Sequence, residues 1–280
     1  QRRPGRGSMK KVLAILGGIL ALALLAAGVI LGVKQLAPGE PSASSTPAAP
    51  AVQPELDVYK PVADYAEMLD ALDFAKTRNQ DTVGWLKVPG TDINNCVVQS
   101  FDNAYYLRRD EQKQYANEGC YYLDYECSVG AREDLTPNTI IYGHSWDDDP
   151  DGIKFGQLFR FVDTEFARAN PCFEFCTQQD PMTWQIFAVA YTNISFDYIH
   201  PQISGAEMVE VANAAMEKSF YDYGVTVTEN DKIITLSTCV VGFGGHDNRL
   251  IVMAKLLDED AEIPETADLT ERPEKKQGVQ

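Results

Sequence analysis

A chain of 280 residues with 41 acidic and 24 basic side chains carries a formal charge of −17, which argues against a nucleic-acid partner because its field would repel phosphates. Six cysteines could close three disulfides, but a nucleophilic cysteine among them would leave five, and so at least one more unpaired thiol.

In chain order, Arg2, Arg3, Arg6, Lys10 and Lys11 precede an uncharged apolar run of 22 residues from Val12 to Val33. That run makes about 33 Å of helix at ~1.5 Å per residue, enough to span a bilayer. It is longer than the roughly 7–15-residue apolar core of a signal peptide, so residues 12–33 are read as an uncleaved transmembrane anchor. Only Lys34 follows closely, which places residues 1–11 in the cytoplasm and the rest outside, as a single-pass protein of the cell membrane. Residues 1–8, ahead of Met9, are expected to precede the native start. Residues 34–56 are rich in Pro, Ala and Ser and read as a flexible stalk.

Residues 57–257, about 200 in all, suit one domain with a substantial core. The spacing of Val62, Tyr65, Met68, Leu69, Leu72 and Phe74 predicts an amphipathic helix over Val62 to Thr77, with Pro61 in its first turn. Short strands follow, separated by turn residues: Thr82 to Val88, Asn95 to Gln99, Gly119 to Tyr125, Asn138 to Gly143, Cys172 to Thr177 and Thr183 to Tyr191. Within Cys172 to Thr177, Cys172 and Cys176 would stand ~13 Å apart in one strand, beyond disulfide reach. A second helix is predicted from Gly205 to Phe220, then strands Lys232 to Cys239 and Arg249 to Leu257. Many short strands with two or three helices predict a mainly β domain, a closed barrel with helical additions. The tail, 258–280, has eight acidic and three basic residues and is predicted to be disordered.

Chemistry concentrates at Thr235-Leu236-Ser237-Thr238-Cys239, where a strand ends in a cysteine and Arg249 opens the next strand. A thiol is a strong nucleophile only as thiolate, so a catalytic cysteine needs a base, a cation or a helix N-terminus beside it. His144, at the end of the predicted strand Asn138 to Gly143, is the best-placed base; His246, in the loop between Cys239 and Arg249, is its rival, and His200 precedes a proline. The segment Asp147-Asp148-Asp149-Pro150-Asp151-Gly152 matches the start of an EF-hand loop, but Leu158 stands where a bidentate glutamate is required, so the stretch reads as a solvated acidic loop.

These blocks, taken together, resemble the sortases, and among them class B. The matching segments run in order: Asp81 to Thr91, Val97-Val98-Gln99-Ser100 with Asp102-Asn103, Tyr105-Tyr106-Leu107, Gly119 to Tyr125, Ile140 to His144, Lys154 to Leu158, Thr235 to Cys239 and Arg249 to Val252. Two departures stand out: family members commonly have proline at the position of Cys96 and asparagine at that of Ser145. The resemblance implies an eight-stranded sortase-type barrel with an N-terminal helix and a helix before the last strands. It carries the roles of nucleophile to Cys239, general acid and base to His144, and oxyanion or carbonyl ligand to Arg249, and it demotes His246. Ser237 and Thr238 flank the nucleophile and are expected to include a substrate contact.

The implied reaction is transpeptidation without metal or cofactor. A secreted protein bearing a C-terminal sorting signal would be cleaved through a thioester on Cys239, and the acyl group passed to an amine of peptidoglycan precursor or of a pilin. With ordinary acidities, about 3% thiolate and about a quarter imidazolium coexist at pH 7, so about 1% of molecules carry both forms and turnover should be slow. A thiol hydrolase and a non-catalytic surface binding module are the alternatives on the same scaffold.

Overall fold

The computed structural model describes residues 61–279, with side chains from Tyr65 onward. The segments expected as a cytoplasmic N-terminus (1–11), an anchor (12–33) and a stalk (34–56) lie outside the described residues. Among those described, no helix is long and apolar enough to cross a membrane.

Helix α1, Pro61–Arg78, opens the domain with its proline in the first turn, where a missing N–H costs nothing. Met68 and Leu72, one helical turn apart, are buried against the barrel. Phe74, expected on the same stripe, is instead 62% exposed, with the Arg78 guanidinium 5.8 Å from its ring. Two positions beyond Leu72, its side chain leaves the helix some 200° around the axis from the buried face.

Eight strands close into a barrel. They are β1 (Thr82–Lys87), β2 (Asn94–Gln99), β3 (Tyr121–Leu123), β4 (Asn138–Tyr142), β5 (Cys172–Cys176), β6 (Thr183–Asn193), β8 (Ile233–Cys239) and β9 (Asn248–Leu256). Around the barrel the order is β1, β2, β3, β4, β8, β9, β6, β5 and back to β1. The pairs β2/β3 and β4/β8 are parallel and the others antiparallel. The expected β-barrel with few helices is therefore the observed one.

Strands β6, β8 and β9 are apolar on both faces for a structural reason. Leu236, Leu250 and Val252 point into the barrel, while Ile233, Ile251 and Met253 meet helix α3 (Gly205–Lys218) through its Met208, Ala212 and Ala215. Ser204 caps that helix and Glu207 reaches back to the Ser204 N–H, a reciprocal pair that fixes where the helix starts. The stretch Lys154–Val162 is a 3-10 run whose Phe155, Leu158, Phe159 and Phe161 plug the barrel, followed by the short helix α2 (Thr164–Ala169). Neither was predicted as an element; a 3-10 run carries no 3.6-residue period to read.

The segment 258–279, expected as a disordered tail, is packed on the domain. Strand β10 (Thr270–Glu271) pairs with β7 (Tyr221–Asp222), Ala267 and Leu269 are buried, and the Arg272 guanidinium donates to the Met216 carbonyl and to Asp222. Mean charge hid this, because the docking depends on two small apolar contacts and one cation rather than on composition.

All six cysteines are free. Burial pushes the Cys96 thiol up to about 11 and those of Cys127, Cys172 and Cys176 up to about 12, so they stay protonated at neutral pH. Cys239 alone among the six is partly exposed.

Candidate active site

The register of three neighbouring strands assembles the site. Cys239 and Arg249 are the last directly opposed pair of the antiparallel β8/β9 ladder. Opposed residues share a face with Cβ atoms about 5 Å apart. On the other flank β4 runs parallel to β8, Tyr142 opposite Ser237, and the Gly143 N–H donates to the Ser237 carbonyl at 3.3 Å. The pairing ends there; counted on by two residues in the same register, His144 falls at the level of Cys239, and its own carbonyl accepts from the Phe155 N–H at 3.0 Å. The cysteine thus stands on the outer face of the barrel, opposite Arg249 on one neighbouring strand and beside the strand whose end leads into His144.

His144 is held from below. Its Nε2 lies 2.8 Å from the Leu107 carbonyl and 3.1 Å from Nη1 of Arg108. A carbonyl only accepts, so Nε2 carries the hydrogen, Arg108 acts as a nearby charge, and Nδ1 is the nitrogen free to exchange a proton. Burial depresses the basicity of His144; the Leu107 bond opposes this and the Arg108 charge adds to it, with a net lowering below the usual histidine value. The imidazolium is therefore scarcer than the quarter expected from ordinary acidities. Gly119, at φ +55°, supports the ring: a Cβ there would lie 3.1 Å from His144 Cδ2 and equally close to the carbonyls of Tyr106 and Leu107.

Arg249 is anchored through Nη1, which donates to the carbonyls of His246 and Asn248, both at 2.8 Å. The rest of its planar fork can face a substrate oxygen. His246 itself is exposed and reaches the site only through that carbonyl. His200 pairs with Asp197 at 2.6 Å.

Ser237 and Thr238 are 3% and 2% exposed. Ser237 shares the nucleophile's face and hydrogen bonds the buried Tyr198 hydroxyl at 2.7 Å, while Thr238 lies opposite Leu250 with its hydroxyl unpartnered. Neither hydroxyl is exposed in this structure. Asn138 donates to the Tyr198 carbonyl and accepts from Thr235. Tyr142 stacks on Tyr122 at 5.2 Å and donates to Asp124 at 2.8 Å.

The acidic loop after His144 has a structural use. Asp148, at φ +53°, accepts hydrogen bonds from the N–H groups of Val241 and Gly242, tying the histidine loop to the loop that follows Cys239. Asp149 accepts from the Asp151 N–H, and Asp151 pairs with Arg160. Among the described residues no three histidine, cysteine or acidic side chains are grouped to hold a metal.

Sequence reasoning passed over Arg108, Gly119, Asp148 and Tyr198. Gly119 had a signal, a glycine opening a strand, and Arg108 stands next to the matched Tyr105-Tyr106-Leu107 block; Asp148 and Tyr198 had none, since each acts on a segment far away in the chain.

Comparison with known proteins agrees with this geometry. The Sortase domain family model matches residues 86–257, which include His144, Cys239 and Arg249. Sortase B of Listeria monocytogenes is 33% identical over 192 residues, covering 68% of this chain and 76% of that protein. The structure of the Staphylococcus aureus sortase B–substrate complex superimposes with a TM-score of 0.61 at 25% identity, covering 71% of this chain and 96% of that one. Listeria monocytogenes sortase B gives 0.57 at 33% identity, over 66% of this chain and all of that one. With the family model over more than half of the chain, named relatives of like sequence and a shared fold, the chain belongs to the sortase family of cysteine transpeptidases, and within it to class B.

Proposed function

We propose that this chain cleaves a C-terminal sorting signal through a thioester on Cys239 and transfers the acyl group to an amine of peptidoglycan or of a pilin. Cys239 Sγ attacks the peptide carbonyl carbon, the C–N bond breaks, and Nδ1 of His144 supplies the proton to the leaving amine. The incoming amine then attacks the thioester and the C–S bond breaks, with His144 taking a proton back. Arg249 donates to the oxygen that bears the developing charge, a role that suits a guanidinium because it stays protonated throughout. The observation that carries this reading is the register that pairs Cys239 with Arg249 on β9 and lays β8 beside β4, the strand that leads into His144.

The apolar run Val12 to Val33 supports a membrane anchor that holds the catalytic domain on the outer side, where secreted substrates pass. A sorting signal as substrate is supported by kinship with sortase B, of which a substrate complex is known for the Staphylococcus aureus protein.

Mass spectrometry of the chain incubated with a panel of sorting-signal peptides tests the reading. An acyl adduct on Cys239 and an amine-capped product are expected, with Cys239→Ala losing activity by about 10³-fold or more and His246→Ala keeping most of it. Full activity in Cys239→Ala would sink it, and the absence of amine-capped product at any amine concentration would make the protein a thiol hydrolase.

A further inference from the structure

Next to His144 the surface opens into a cleft of about 220 Å³, whose lining includes Ser145, Trp146, Asp147, Asp149 and Ile153. Its polar end is unusual. Ser145 is only 7% exposed and its hydroxyl has no hydrogen-bond partner, a loss that a buried polar group seldom sustains unless something else fills the place. No side chain covers it from the side of Gly156, where even a Cβ would stand 3.7 Å from the Ser145 Oγ. Asp147 and Asp149 are exposed beside it, and neither has an ion-pair partner among the described residues, the local arginine, Arg160, being taken by Asp151.

The opposite walls are apolar. Trp146 is 48% exposed and Ile153 47%. An indole face attracts a cation and an isoleucine suits a methylene chain, so the cleft matches a ligand with an aliphatic stem and a positive head. A calcium ion fits less well, because the acidic groups here are not gathered as metal ligands.

Position completes the argument. Ser145 follows the proton-exchanging histidine directly. Asp148, between the two lining carboxylates, bonds the N–H groups of Val241 and Gly242, so the loop that carries the cleft is tied to the chain two and three residues beyond Cys239. We propose that this cleft docks the acceptor amine as its ammonium, held by Asp147, Asp149 and the Ser145 hydroxyl. The inference rests on the transpeptidase reading above and names the site of its second substrate. The ammonium loses two protons on becoming the amide N–H. One goes to Nδ1 of His144 and one to the departing thiolate as the C–S bond breaks and the C–N bond forms.

The test uses the full chain in detergent, a sorting-signal peptide and two acceptors: cadaverine, an alkyl ammonium, and hydroxylamine, which is uncharged at neutral pH. Asp147→Asn combined with Asp149→Asn should raise the KM for cadaverine about tenfold, while the KM for hydroxylamine shifts less than twofold; Ser145→Ala should move cadaverine in the same direction. The rate of thioester formation on Cys239, read in the same samples, reports that the variants fold. Equal effects on both acceptors, or none, overturn the proposal, as does a calcium dependence of thioester formation that the double variant abolishes. Failure of the unsubstituted chain to form any thioester overturns the transpeptidase reading and this proposal with it, whereas a thioester that turns over regardless of acceptor charge overturns the cleft alone.

Discussion

Replacing Gly119 by alanine isolates the seat of His144. The backbone there has φ +55°, a left-handed conformation that costs a residue with a Cβ about 1–2 kcal/mol. For a domain near 200 residues this lowers Tm by roughly 2–8 °C. The new methyl would also sit 3.1 Å from His144 Cδ2 and from the carbonyls of Tyr106 and Leu107. Two of those neighbours are backbone, so the ring gives way by a few tenths of an ångström. If a displacement of 1 Å costs on the order of 100-fold, this shift costs about tenfold in kcat/KM. Gly224 provides the control, with φ +65° and nothing within 4 Å of its added Cβ. Gly224→Ala should lose comparable Tm and change kcat/KM less than about twofold, since it carries the strain without the contact. Calorimetry and a quenched-peptide cleavage assay on both variants suffice. Equal activity in the two variants, after allowance for folded fraction, would refute the reasoning that Gly119 positions the histidine.

Arg108→Gln removes a positive charge 3.1 Å from the His144 ring, so the histidine should titrate at higher pH than in the unsubstituted chain. An NMR titration that shows no rise counts against the assignment. The same lowered basicity ties stability to pH: the folded state resists protonating His144, so its contribution is present above the ordinary value near 6.5 and is lost on acidification through the lower folded value. Urea melts at pH 7.5 and 5.5 should therefore differ less in Arg108→Gln. Deleting residues 258–280 should lower Tm by about 4 °C or more, since Ala267 and Leu269 leave the core and Arg272 leaves Asp222; an unchanged melt would mean that the packed tail contributes no stability.

Much of the fold was legible in the chain because strands advertise themselves locally. The run Ile233 to Cys239 is apolar and β-branched, turn residues bound it, and its observed limits fall within a residue of those predicted. Thr235 to Cys239 with Arg249 marked the site, and the order of surrounding blocks placed His144 with them. The 3-10 plug of Lys154–Val162 and the docking of Ala267 and Leu269 were not legible, since the first lacks a helical period and the second depends on which surface the tail meets.

The sequence by itself therefore determined the eight strands of the barrel and, through the order of the matching blocks, the family. The strands follow from side-chain chemistry and periodicity within a dozen residues, and the family from a resemblance spread over blocks between Asp81 and Val252. Only the tertiary structure decided that the Leu107 carbonyl sets the tautomer of His144 beside the Arg108 charge, that Ser237 and Thr238 are buried, and that Asp148 latches the two loops. Those depend on distances between segments dozens of residues apart, which closure of the barrel fixes and local periodicity does not encode.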